Sequence, residues 1–191
     1  MERWEIELLG RYFTGDARSM VVGHGRAVAD LALNVCHLIG LSADECRFVE
    51  EAALLHDIGI CRIHAPRLGL QVGFPYIMHG IIGREILEGE GYPRHAMVCE
   101  RHIGVGLTVE DIIRQALPLP KRDMSPLSTA EQIVCFADLF YSKSPGWITL
   151  QKSPEQVRRK LAGFGEGKVQ IFDRWMELFG AGLDGPAPVR S

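Results

Sequence analysis

The side chains best suited to chemistry in this sequence begin with His56-Asp57, which closes the apolar run Glu51-Ala-Ala-Leu-Leu-His-Asp-Ile-Gly59. Both are metal-binding types placed where packing favours hydrocarbon, so their burial needs a compensating partner, and a metal ion would be one. Asp138 raises the same question within Gln132-Ile-Val-Cys-Phe-Ala-Asp-Leu-Phe-Tyr141, a helix apolar almost all round and therefore buried. A lone ionised carboxylate there is costly, so it is paired with a base, protonated or metal-bound. On these residues alone a metal and a structural salt bridge weigh equally.

Three further histidines join only if the fold gathers them. His24 precedes Gly25-Arg26 at the head of a long apolar helix, His79 sits beside Gly80 at the head of another, and His102 stands near Gly104 at the end of a third. Taken singly, each reads as well or better as a structural or surface residue. His37 near a helix end and His95 in a polar helix start read as structural, whereas His64 follows the motif in a loop that could contact a substrate.

The elements that must position these groups are helical. Glu2 to Phe13 predicts a first helix stopped near Gly15, and Met20 to Ile39 a second, with Val28, Leu31, Ala32 and Val35 on one stripe and Gly40 as its stop. Ser42-Ala-Asp-Glu45 reads as a capping box opening the helix that ends at His56-Asp57. Residues 60 to 75 are irregular and suit a connection that covers a site. Helices are expected over His79 to Glu88 and from Pro93 to His102, and further starts at Thr108, Ser128 and Ser153-Pro154. Phe172, Trp175, Met176 and Phe179 form a last helical stripe. Residues 181–191, rich in Gly and Pro, read as a flexible tail. No sustained period-two alternation occurs, and Gly23-His-Gly25 and Gly104-Val-Gly106 follow no strand, which excludes a dinucleotide-binding βαβ unit. The fold class is all-α, a single bundle of about six to eight helices over residues 1–180.

Composition narrows the partners. With 191 residues, 47% hydrophobic, and a net charge of -3, the chain can bury one core and carries no electrostatic footprint for nucleic acid or an anionic membrane. Cys36, Cys46, Cys61, Cys99 and Cys135 form no CxxC and read as reduced, buried thiols. The opening Met1-Glu-Arg-Trp-Glu lacks a basic, then apolar, leader pattern, and no stretch approaches the roughly 20 apolar residues of a membrane span, so the expectation is a soluble cytoplasmic protein. Trp147, Trp175 and Phe179 would serve an interface as well as a core, leaving the oligomeric state open.

The ordered set His24, His56-Asp57 with Ile58-Gly59, and Asp138 resembles the HD-domain superfamily of metal-dependent phosphohydrolases, over roughly residues 20–145. The resemblance implies an all-α fold in which His24, His56, Asp57 and Asp138 ligate one divalent ion. By analogy with binuclear members, His79 and His102 would hold a second, bridged by Asp57. Such donors suit iron, manganese, nickel, cobalt, zinc or magnesium, and helix C-termini favour the positive charge. The implied reaction is hydrolysis of a phosphomonoester, phosphodiester or phosphoanhydride of a nucleotide or related small molecule by a metal-activated water.

Asp57 would serve that reaction, His64 would protonate the leaving group, and Lys143, then Arg62, are the first choices for cationic phosphate partners, ahead of Arg67, Arg101, Lys121 and Arg122. The pattern departs from the cyclic-dinucleotide branch: Ile60 replaces its Lys after HDIG, Arg101-His102 offers one His instead of two, and Gly91-Tyr92-Pro93 precedes that His instead of following it. The alternative is an HD module that binds a nucleotide and signals without turnover. A plain helical interaction protein would have no use for the constellation.

Overall fold

The computed structural model describes residues 3–64, 66, 70, 73–143, 148 and 150–184; Arg67, Trp147 and the tail from residue 185 lie outside them. Among the described residues the chain forms nine α-helices, one more than the upper expectation, because the stretch after Pro154 breaks at Gly163–Gly165 into two helices. In order they are α1 Trp4–Tyr12, α2 Gly15–Leu38, α3 Ala43–Leu55, α4 His79–Gly89, α5 Pro93–Arg101, α6 Val109–Arg114, α7 Thr129–Leu139, α8 Pro154–Ala162 and α9 Glu166–Phe179.

Local sequence explains most boundaries. Ser42 and Ser128 accept from the amides of Glu45 and Glu131, while Thr108 with Asp111 and Ser153 with Gln156 form complete reciprocal capping boxes. Pro93 and Pro154 occupy first turns, where a missing N–H costs nothing. The expected start of α2 at Met20 is corrected: the helix begins at Gly15, directly after the extended Thr14, so the glycine read as a stop opens the next element. This lengthening puts His24 in mid-helix instead of at its head.

The main core is an apolar cluster gathered from α1 to α5 and α7 to α9, with Phe136 packed against Phe140 and Phe172 at its centre, and a smaller cluster joins Ile81, Ile112, Leu119 and Met124. The principal seams run between α2 and α3 and between α4 and α5, with α7 crossing α2 and α3. Residues 180–184 form a 3-10 turn against α2, where Gly182 packs on Val35, so ordered chain continues past the expected start of the tail. No helix among the described residues is long and apolar enough to cross a membrane. Four cysteines are buried free thiols and Cys61 is partly exposed.

Candidate metal centre

Glycines beside the histidines set the spacing of the elements. Gly25 follows His24, and a Cβ there would stand 3.0 Å from the carbonyl oxygen of Leu54, so α2 and α3 meet backbone to backbone. After Asp57 the chain makes a 3-10 turn, Ile58–Arg62, and a Cβ on Gly59 would overlap the carbonyl oxygen of His79 and lie 2.5 Å from the amide nitrogen of Gly83. Only glycine permits so close an approach of this turn to the first turns of α4. Gly80 likewise lets α4 close on Cys99 of α5. The three seams thereby bring His24, His56-Asp57, His79 and His102 to one point, which α7 completes with Asp138.

His24, His56, Asp57, His79 and His102 are each 3% exposed or less, and the Asp138 side chain is 14% exposed. Asp57 divides its carboxylate between two sets. Oδ2 lies 3.6 Å from His24 Nε2 and 3.4 Å from His56 Nε2, while Oδ1 lies 3.5 Å from both His79 Nε2 and His102 Nε2. Asp138 Oδ1 stands 2.8 Å from His24 Nε2 and 3.5 Å from His56 Nε2. All six residues expected as ligands are thus adjacent.

The rings are aimed by their own helices. His56, His79 and His102 each donate from Nδ1 to a carbonyl three residues back, Ala53, Tyr76 and Cys99, at 2.7 Å in every case. A carbonyl accepts only, so Nδ1 of all three rings carries a hydrogen; Nε2 of the neutral His79 and His102 rings presents a lone pair to the site, and Nε2 of His56 does so once that ring gives up its second proton. Burial pushes the His79 pKa down to about 3, with His102 adding to it, and burial also lowers those of His102 and His24. His79 Nε2 and His102 Nε2 therefore face each other as two lone pairs 3.0 Å apart, an arrangement that calls for a cation between them.

Charge inside the cluster is balanced by two cations. Burial disfavours a charged His56, but Asp57 and Asp138 outweigh it and bring its pKa up to about 10. Burial disfavours the Lys143 ammonium too, yet Asp138 and Asp57 hold it protonated, its Nζ 3.1 Å from Asp57 Oδ2 and 3.5 Å from Asp138 Oδ1. Against their own burial, both carboxylates are held well below the usual range, first by Lys143 and then by the histidines. Even so, both Asp57 oxygens, His56 Nε2 and His24 Nδ1 are buried without a hydrogen bond of good geometry. Orphaned acceptors, converging imidazoles and paired carboxylates fit a divalent cation; two overlapping donor groups, His24-His56-Asp138 and His56-Asp57-His102, have their ligand atoms within 4.8 Å of one another.

A cavity of about 270 Å³ opens on this cluster, lined by His79, His102, Asp138, Tyr76, Tyr141, Lys143, Lys152 and Lys160 among others. Lys152 also donates to the carbonyls of Leu139 and Tyr141 and so covers the C-terminal end of α7. Lys152 and Lys160 escaped the sequence reading, since nothing in the stretch before Pro154 or in the polar helix after it distinguishes them from solvated surface lysines.

Two expected site residues are not brought in. Ile63 and Phe74 form a short bridge with His64 N donating to Phe74 O and Phe74 N to Arg62 O. Alternation along this extended segment turns Ile63 inward and leaves Arg62 and His64 exposed, neither of them lining the cavity. Arg101 and Arg122 are committed to Glu131 and Glu100 instead of a ligand. His95 contacts Glu51 and the rings of Trp4, Phe48 and Tyr92, in keeping with a structural role.

A family model for the HD domain matches residues 21–142, more than half of the chain and all six clustered residues. The chain belongs to the HD-domain family. The family's metal-dependent hydrolase character agrees with the donor cluster. An uncharacterized protein of Methanocaldococcus jannaschii is 38% identical over 122 residues, covering 62% of this chain and 64% of that protein. A protein of Thermoplasma volcanium named tRNA (cytidine(56)-2'-O)-methyltransferase is 28% identical over 156 residues, 81% of this chain and 40% of that protein. One of the same name from Picrophilus torridus is 32% identical over 124 residues, 64% of this chain and 32% of its own length. The chain thus spans less than two thirds of each of these curated relatives. No solved structure matches the chain.

Proposed function

We propose that this HD domain is a metal-dependent phosphohydrolase acting on a small phosphorylated molecule, with a nucleotide as the first substrate class to test. The observation that carries the reading is the divided Asp57 carboxylate, one oxygen toward His24 and His56 and the other toward His79 and His102, beside a cavity lined by lysines.

Two divalent ions would be held by His24, His56, Asp57 and Asp138 on one side and by Asp57, His79 and His102 on the other. Bound there, they supply Lewis acidity and lower the pKa of water toward neutrality. Iron, manganese, nickel, cobalt, zinc and magnesium remain open by donor type.

The chain's own contributions are orientation and charge. The Nδ1 bonds to Ala53, Tyr76 and Cys99 fix three rings before any ligand arrives. Lys143 and Lys160 place positive charge along the cavity where phosphoryl oxygens would lie, and Tyr76 and Tyr141 add hydroxyls for orientation. Arg62 and His64 receive no part in this arrangement. A module that signals without turnover has no need to retain six converging ligands. The methyltransferase name of two relatives is not carried over, since this chain matches under half of each and a cluster of imidazoles and carboxylates is suited to holding cations.

The test is phosphate release from a panel of nucleotides and phosphate esters with each divalent ion in turn, comparing wild type with Asp57→Ala. Turnover lost in the variant is the expected result. A wild type that binds metal and hydrolyses nothing in the panel would remove the enzyme reading.

A further inference from the structure

A second cavity, of about 180 Å³, adjoins the lysine-lined one and shares Ile103, Gly104, Leu139 and Lys160 with it. Its chemistry is different. Ile77, Leu107, Leu117, Val157, Leu161 and Phe164 make most of its lining hydrocarbon. Its other ammonium, Lys168, is already engaged, 2.5 Å from Asp111 Oδ2 and 2.6 Å from the carbonyl oxygen of Gly106, so it is poorly placed to receive another anion. Val157 and Leu161 come from α8, Phe164 from the turn after it and Lys168 from α9, all beyond residue 142, where the HD match ends. The apolar wall is therefore shared: Ile77, Leu107, Leu117 and Leu139 come from within the HD match, and α8 and the turn after it close the far side with Val157, Leu161 and Phe164.

We propose that the apolar cavity is the subsite for the uncharged ring of the substrate, so that the substrate class is a phosphate ester or anhydride carrying one flat ring system close to its phosphate. The inference rests on the phosphohydrolase reading for the position of the phosphate. Size sets the ring: an apolar cavity of roughly 150 Å³ accepts benzene, so this one takes a single ring or a compact fused pair. Lys160, exposed and lining both spaces, stands at the junction, where the charged and uncharged halves of such a molecule meet. Gln115, on the apolar side, offers an amide for a polar ring edge.

The experiment measures binding of two non-hydrolysable probes, methylphosphonate and benzylphosphonate, to the full chain in the presence of manganese(II). Benzylphosphonate is expected to bind roughly tenfold or more tightly, from burial of its ring. Leu117→Trp, at a half-buried position, fills the cavity and should abolish that preference while leaving methylphosphonate binding unchanged. Phe164→Asp, at an exposed position, should cut the preference without a demand on the core, and circular dichroism establishes that each variant is folded. Equal binding of the two probes by wild type, or equal weakening of both in folded variants, overturns the subsite. A ring preference that behaves as expected, alongside failure to hydrolyse benzyl phosphate with any divalent ion, upholds the subsite and counts against the hydrolase reading alone.

Discussion

Gly59→Ala tests whether the site depends on backbone contact between the turn after Asp57 and α4. The added methyl would overlap the His79 carbonyl oxygen and lie 2.5 Å from Gly83 N, whereas ordinary contact begins at 3.4 Å. Backbone cannot swing aside as a flexible side chain does, so the first turn of α4 must retreat by roughly 1 Å or more. Overpacking of this kind costs about 1–3 kcal/mol, and the backbone origin of the clash puts Gly59 at the upper end. For a chain of this length about 3 kcal/mol lowers the Tm by roughly 6–12 °C. The same retreat carries His79 away from Asp57 Oδ1, now 3.5 Å distant, and so weakens the His79-His102 side of the cluster. Thermal denaturation monitored by circular dichroism, with metal content measured on the same preparation, reads both effects. A variant with an unchanged Tm and full metal content would refute the close-approach argument.

Other perturbations separate the parts of the centre. On the two-ion reading proposed above, His79→Ala and His102→Ala would each reduce bound metal by one ion per chain, measured by elemental analysis, whereas Asp57→Ala would reduce both. Lys143→Met should retain metal and lower kcat/KM for a hydrolysed phosphate ester by roughly 10²–10³-fold, as loss of a charge aimed at the reacting phosphate would; an unchanged value would make Lys143 only a structural counter-ion. Asp111 offers a pH test away from the histidine-carboxylate cluster. Burial would raise its pKa, but Lys168 and Thr108 outweigh burial and lower it, so its stabilising contribution is complete above the unfolded value near 3.8 and is lost as pH falls through the lower folded one. Asp111→Asn should therefore flatten the acid limb of stability in urea titrations below about pH 4, and an unchanged limb would discount the Asp111–Lys168 pair.

The sequence made the cluster legible for a physical reason: buried polar groups in apolar helices stand out, and His56-Asp57 and Asp138 are such groups. The glycine companions of His24, His79 and the HD pair were visible as letters, but their packing role was not, because close approach is a property of two segments far apart in the chain. His64 was misplaced because its loop pairs with Phe74, and one residue of alternation decides which side faces inward. Lys160 was invisible since a lysine on a polar helix looks the same whether it faces solvent or the mouth of a cavity. Helix α2 was clear as a helix, and only its start was lost, where Thr14-Gly15 supplied a boundary read in the wrong direction.

The glycine seams also set how the centre responds to ionic radius. His24, the HD pair and His79 are backed by helices in backbone contact at Gly25, Gly59 and Gly80, so widening that side means moving whole helices. Asp138 lies one residue before the end of α7, partly exposed, and Lys143 follows in the chain beyond it. Compliance would therefore be one-sided: were an ion held here, a change in its radius would be taken up by movement of Asp138 at the end of α7, not by His24, the HD pair or His79.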